Sequence, residues 1–222
     1  MSKAKIKGLV SIAIILLVLV IDQIIKVEVK TNMYLGEKIY ITDWFQLLFV
    51  ENNGMAFGWE IGGKLFLTSF RIIAIAAIGY LISREIRRER PWGYVVCLAL
   101  ILAGAAGNII DCLFYGQIFS ESTRTAIAEF VPWGTGYSDF MTGKVVDMLY
   151  FPLIEWDMPG WLWLNDIPFL PNAYEHCIFF SPIFNFADAA ISCGIVALVI
   201  FYHKLLSQAT AKSDSDSVKA SE

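Results

Sequence analysis

Four apolar stretches, each long enough to cross a lipid bilayer, constrain this chain more than any other feature of its sequence. Crossing roughly 30 Å of hydrocarbon takes about 20 mostly apolar helical residues. The stretches from about Gly8 to Val27, Lys64 to Ile82, Trp92 to Asp111 and Phe184 to Tyr202 meet that need. A content of 57% hydrophobic and 17% charged residues agrees with them and moves the chain away from soluble averages. The expected fold is therefore an all-α integral membrane protein of four transmembrane helices, with a small extracytoplasmic β-containing domain and extended outer loops.

Lys3, Lys5 and Lys7 precede the first stretch, but its apolar core is too long for a secretory signal and no small-residue cleavage site follows. Arg84, Arg87, Arg88 and Arg90 separate the second and third stretches, and Lys204 follows the fourth. Basic residues mark the cytoplasmic side, so both termini are expected there, with residues 28–63 and 112–183 facing outward. Six of the seven tryptophans (Trp44, Trp59, Trp133, Trp156, Trp161 and Trp163) fall in those outward segments, where an amphipathic ring suits the headgroup level. Lys38 to Val50 is rich in β-branched and aromatic residues and reads as one or two short strands, ending at the Asn52-Asn53-Gly54 turn signal. Residues 207–222, rich in Ser, Lys and Asp, read as a disordered cytoplasmic tail. The small net charge of -4 is dispersed and forms no basic stripe, so no nucleic-acid partner is expected.

Metal and redox chemistry find little support. Cys97, Cys112, Cys177 and Cys193 have no CxxC spacing, and His176 and His203 fall on opposite sides of the membrane in this topology. No metal or other cofactor is implied. A disulfide between Cys112 and Cys177 stays open.

Ionisable residues in a spanning helix are costly and tend to face a bundle interior. Counting 1.5 Å per residue from Lys7 places Asp22 roughly 22 Å up, in the outer third of the hydrocarbon. Asn108 and Asp111 end the third stretch, and Asn185 and Asp188 begin the fourth, so three helices bring acids to one depth. Asp22 and Lys26 are four apart, and Asn108/Asp111 and Asn185/Asp188 are three apart, so each pair shares a helix face. An intrahelical ion pair, with Lys26 reaching for the interface, is the plainer account of Asp22 and Lys26. Helix-end hydrogen bonding is the plainer account of Asn108 and Asp111.

Asp147 lies in the apolar run Val145-Val146-Asp147-Met148, and periodicity leaves its partner open. Were it to meet Asp188, the two carboxylates would share a proton, as acid and base chemistry on a peptide bond requires.

Five blocks of this sequence resemble the lipoprotein signal peptidases, or signal peptidase II. They are Asp22-Gln23-Ile24-Ile25-Lys26, Asn52-Asn53-Gly54-Met55-Ala56-Phe57-Gly58, Gly104-Ala105-Ala106-Gly107-Asn108-Ile109-Ile110-Asp111, Val145-Val146-Asp147, and Phe184 to Gly194 (FNFADAAISCG). The resemblance implies a four-helix membrane peptidase domain over residues 1–206 and an aspartic endopeptidase with Asp147 and Asp188 as its catalytic pair. It implies that Asn52, Gly54, Asn108, Asp111 and Asn185 line the site, with Asp22 and Lys26 in support. The implied substrate is a prolipoprotein whose cysteine carries a diacylglyceryl group, cut just before that cysteine at the outer face of a bacterial inner membrane. Membrane lipid is the other expected partner, and a monomer suffices.

Two departures stand out. Many members carry arginine where Cys112 follows Asp111, so any grip on substrate that it gives is absent here or filled otherwise, with Arg124 and Lys144 as the candidate substitutes. The outer segments are also longer than in compact members, as a cover over the cavity or as passive elaboration. A small transporter and a silent lipoprotein-binding scaffold are the competing functions; the first would use Arg71 of the second stretch.

Overall fold

The computed structural model describes residues 1–53, 63–157, 176–179 and 182–219, with residues 155–157, 176–179 and 206–219 described at the backbone alone. Among the described residues, four helices are long and apolar enough to cross a membrane. They are α1 (Lys3–Asn32), α2 (Gly63–Arg87), α3 (Trp92–Ile110, continued by a π-helical turn over Asp111–Tyr115 and the short α4 at Gly116–Ile118) and α5 (Phe186–Lys219). The chain is a multi-pass membrane protein.

The helices overrun the apolar stretches because apolar composition marks only the part that hydrocarbon would cover, whereas helical hydrogen bonding continues into water. At the start of α1 the Ser2 hydroxyl accepts the Lys5 N–H at 3.3 Å, an N-cap that starts the helix before the apolar run. At the far end the α5 backbone is helical through Lys219, where the sequence led us to expect disorder from 207 onward. Lengthening an existing helix needs no new nucleus.

α1 is inside out by the standards of a soluble helix. Its buried residues include Lys7, Ser11, Asp22, Lys26 and Lys30, while Leu9, Ile12, Leu16, Leu17, Val20 and Ile24 are exposed. Polar faces inward and apolar faces outward are what lipid as a solvent selects. Close packing of α3 on α5 depends on small residues: a Cβ on Gly104 would stand 2.2 Å from the Ala187 carbonyl oxygen, and one on Gly194 would stand 2.8 Å from that of Cys97. Val18, Ala103 and Ala190 fill the middle of the bundle.

The small β-containing domain expected beside the helices is present, and it takes the chain beyond an all-α label: among the described residues, six strands accompany the helices. β1 (Lys38–Thr42), β2 (Phe45–Asn52), β3 (Val145–Tyr150) and β6 (Ile183–Phe184) form an antiparallel sheet in the order β1-β2-β3-β6, and β4 (Ile154–Asp157) pairs with β5 (His176–Phe179) apart from it. Alternating Phe, Leu, Val and Ile side chains favour a sheet with one face packed. Phe49, Val146 and Met148 fill that face against Val29 of α1, Met33 just past its end, and Tyr115 and Phe119 beyond α3. The pairing that matters for the site sets Val50 opposite Asp147 and Asn52 opposite Val145.

The long segment after α4 is seated by a buried ion cluster. Lys30 Nζ lies 2.5 Å from Glu51 Oε1 and donates to Ser122 Oγ at 2.9 Å, and Lys144 reaches the second Glu51 oxygen at 3.1 Å. The Lys30 ammonium also stands 4.9 Å from the Tyr137 ring centroid, a favourable cation–π distance. Burial works against the Glu51 charge, but Lys30 and Lys144 outweigh it and hold the carboxyl below its ordinary range.

Candidate active site

The buried polar face of α1 meets α3 at Lys26. Its ammonium is 3.0 Å from Asp22 Oδ2 and 2.8 Å from Asp111 Oδ2, all three side chains fully buried, and it donates to Asn108 Oδ1 at 2.8 Å. The Asp22–Lys26 ion pair of the sequence reading is present, but Lys26 points into the bundle instead of reaching for its edge. Gln23 completes the cluster, donating to Asp111 Oδ1 at 3.0 Å and accepting from the Tyr115 hydroxyl at 3.1 Å. Gly107 gives Asp22 room, since a Cβ there would lie 2.6 Å from its Oδ2. Asp111 opens the π-helical turn and also accepts the Val146 N–H at 3.3 Å, which ties β3 to the end of α3.

The start of α5 is capped from two elements. Asn185 Oδ1 accepts the Asp188 N–H at 2.9 Å while Asp188 Oδ2 accepts the Asn185 N–H at 3.4 Å, the reciprocal arrangement of a capping box. Asp22, across the bundle, accepts the Ala187 N–H at 2.9 Å. Two of the N–H groups that a helix start leaves unsatisfied are thereby used.

That cap fixes the polarity of the next contacts. With Asn185 Oδ1 occupied by backbone, its Nδ2 donates to Asp147 Oδ1 at 2.7 Å and to Asn108 Oδ1 at 3.0 Å. Asn108 Oδ1 therefore accepts from both Lys26 and Asn185, and its Nδ2 donates to Asp188 Oδ1 at 2.7 Å. Asn52, at the end of β2, donates to the other Asp147 oxygen at 3.3 Å. Each of Asp147 and Asp188 consequently has a donor at both oxygens, and one continuous chain of amides joins them.

Burial raises the Asp147 carboxyl to about 7, the charge of Asp188 adds to the rise, and the hydrogen bonds from Asn52 and Asn185 and the Lys26 charge oppose it. Two carboxyls coupled this way can hold a single proton at neutral pH, one as acid and one as base. Among the described residues no group of His, Cys, Asp and Glu side chains gathers with metal-ligating geometry.

A family model described as "Signal peptidase (SPase) II" matches residues 14–204. The chain belongs to the signal peptidase II family. A protein from Porphyromonas gingivalis with the name "Lipoprotein signal peptidase" is 49% identical over 202 residues, covering 90% of this chain and 86% of its own. One of the same name from Amoebophilus asiaticus is 36% identical over 220 residues, 94% of this chain and 84% of its own. A solved structure titled a "bacterial membrane enzyme" superposes with a TM-score of 0.56 over 91% of both chains at 23% identity, a likeness of fold.

Of the residues singled out in the sequence, Asp22, Lys26, Asn52, Asn108, Asp111, Asp147, Asn185 and Asp188 all enter this single network. Gly54 lies outside the described residues. Gln23 and Tyr115 were given no role by the sequence reading, although an uncharged amide in an otherwise apolar helix is itself a signal. Neither expected substitute for the signal peptidase II arginine is seen at Cys112. Lys144 is engaged by Glu51 and lies 3.8 Å from Glu121, and Arg124 lines a surface pocket with Tyr34, Leu35, Gly36 and Glu37. The guanidinium beside Cys112 is that of Arg71 on α2, whose Nη1 lies 3.7 Å from its sulfur. Cys112 is a free, buried thiol, and the Cys177 side chain lies outside the described residues.

Proposed function

We propose that this protein is a lipoprotein signal peptidase of the aspartic type, with Asp147 and Asp188 as its catalytic pair. Its substrate is a prolipoprotein bearing a diacylglyceryl group on cysteine, and the bond cut is the one preceding that cysteine. The observation that carries the reading is the amide chain Asn52–Asp147–Asn185–Asn108–Asp188, which places a donor on every oxygen of two acids drawn from separate elements. The names of the relatives support the substrate class.

The roles follow from the surroundings of each acid. Asp147, with its raised affinity for a proton, enters as the acid; Asp188 enters as the carboxylate. Asp188 takes a proton from a water whose oxygen attacks the peptide carbonyl, while Asp147 gives its proton to the carbonyl oxygen. Collapse of the resulting diol returns a proton to Asp147 as the carbonyl re-forms, and Asp188 hands the proton it took to the departing amine, so the pair ends as it began. Asn108 and Asn185 keep the two acids apart in role by fixing which atoms face them, and Lys26 with Asp22 and Asp111 holds Asn108 in that orientation.

The basic residues at Lys3 to Lys7, Arg84 to Arg90 and Lys204 set both termini in the cytoplasm. The sheet and the acid pair then sit at the outer face of a bacterial inner membrane. There lipid chains stay in the bilayer while the scissile bond meets water, and one copy of the chain is enough. The test is a gel-shift assay of a purified diacylglyceryl-modified precursor with wild-type protein, Asp147→Asn and Asp188→Asn, folding being checked by thermal unfolding in detergent. Both folded variants are expected to fail. Cutting by either at near the wild-type rate refutes the pair, and binding without cutting by wild type favours the scaffold alternative.

A further inference from the structure

At the end of the bundle opposite the sheet, three guanidiniums converge on one buried acid that the cleavage chemistry does not use. Glu85, on the last turns of α2, is 3% exposed. Arg84 Nε lies 3.0 Å from its Oε1, Arg88 Nη1 3.5 Å from the same oxygen, and Arg90 Nε 3.0 Å from Oε2. Each guanidinium has five N–H donors in a fixed fork, and these contacts use one apiece. The side chains of Arg84, Arg88 and Arg90 remain 39%, 45% and 26% exposed, so their other donors face the surroundings.

Lys7 joins from α1, donating to the Arg90 carbonyl at 2.6 Å and lying 5.4 Å from the Trp92 ring centroid. Five positive side chains (Lys7, Arg84, Arg87, Arg88 and Arg90) thus stand against two negative ones, Glu85 and Glu89. A staple between two helices needs one ion pair. Three guanidiniums on one carboxylate leave an excess of positive charge, ordered by a buried anchor, that a further anion would relieve.

Position decides which anion. The cluster spans the short connection between α2 and α3, two helices of membrane-crossing length, so it sits where headgroups lie. Trp92, 46% exposed beside it, is of the type that seats at that level. Phosphodiesters are the anions concentrated there, and guanidinium forks match phosphate oxygens.

We propose that Arg84, Arg88 and Arg90, gathered by Glu85, form a binding site for the phosphodiester of an anionic phospholipid headgroup. A general preference for basic residues on one side of the membrane would leave these side chains loose and interchangeable, whereas here each is held to the same acid.

The test is native mass spectrometry of the purified full-length protein released from detergent micelles after addition of phosphatidylglycerol or phosphatidylcholine, alongside thermal unfolding with inorganic phosphate. Wild type is expected to retain one phosphatidylglycerol and no phosphatidylcholine. Affinity should fall about fivefold for each cation removed in Arg88→Gln and in Arg84→Gln/Arg90→Gln. Lys3→Gln/Lys5→Gln should keep the lipid. Arg88→Gln, which leaves Glu85 two partners, gives the answer should the double variant fail to fold. Equal retention of both lipids, or undiminished retention by Arg88→Gln, overturns the proposal. Stabilisation by inorganic phosphate with no retained phosphatidylglycerol overturns it in favour of a soluble anion.

Discussion

Replacing Asp147 by asparagine separates the energetics of this carboxyl from its chemistry. Its pKa is about 7 in the folded protein, against roughly 3.9 for an unperturbed aspartate. A raised folded-state pKa means that the native state binds the proton more tightly than the unfolded chain does. Asp147 therefore favours folding fully below about pH 4, and that contribution is lost as pH rises through about 7. Integrating the linkage between pH 5 and pH 8 gives a loss of about 2.6 kcal/mol in the wild type. Asparagine carries no titrating proton and should show none of it.

The same substitution has a constant cost. Asp147 accepts from Asn185 and Asn52, and an asparagine there must turn its own NH2 toward one of those donors, at about 1–3 kcal/mol. That cost does not change with pH, so the slope is the informative quantity. Thermal unfolding of both proteins in one detergent, from pH 5 to pH 8, should show the wild type losing stability relative to Asp147→Asn most steeply from pH 5 to about 7 and levelling off above it. Parallel profiles would mean that Asp147 is ionised throughout and would remove the basis for assigning it the proton.

Further expectations follow from the same network. If Asp147 is the acid, kcat/KM for precursor cleavage should decline above about pH 7 as its proton leaves; a flat profile from pH 6 to 9 counts against that role. Lys26→Met strands Asp22 and Asp111 in the bundle and should cost about 3–5 kcal/mol, part of it regained by adding Asp111→Asn, as read by thermal unfolding. Gly104→Ala drives a methyl into the Ala187 carbonyl, which only a shift of α5 relieves, and should cost about 1–3 kcal/mol with a loss of cleavage rate. Equal unfolding temperatures for that variant and wild type would contradict the packing described here.

The membrane core was legible because hydrophobic length and the expense of buried charge are both written in one dimension. Asp22 and Lys26 could be read as a pair from their spacing alone, and the strand-rich run before Asn52 from its β-branched and aromatic residues. Periodicity left the partner of Asp147 open, because nothing in a linear pattern sets β3 beside the start of α5; family resemblance supplied that pairing. The direction of Lys26 was misjudged for a related reason. A lysine near a helix end is free to reach for water, and only the arrival of Asp111 and Asn108 from α3 makes the interior the better place. Gln23, Tyr115, and Arg71 beside Cys112 are likewise products of packing between helices, with no periodic signature of their own.

The cap that Asp22 gives to Ala187 joins residues separated by 165 positions, and it has a consequence for biosynthesis. Asp188 and Asn185 stand at the start of the last membrane-length helix, so they leave the ribosome after α1, α2 and α3. A nascent chain that has already placed α1, α2, α3, β1, β2 and β3 holds Asp147 without Asp188, with Asp22 waiting for a helix not yet made. If Asp147 and Asp188 are the catalytic pair, competence to hydrolyse a peptide bond is timed by translation itself, and a chain stalled before α5 should be inert.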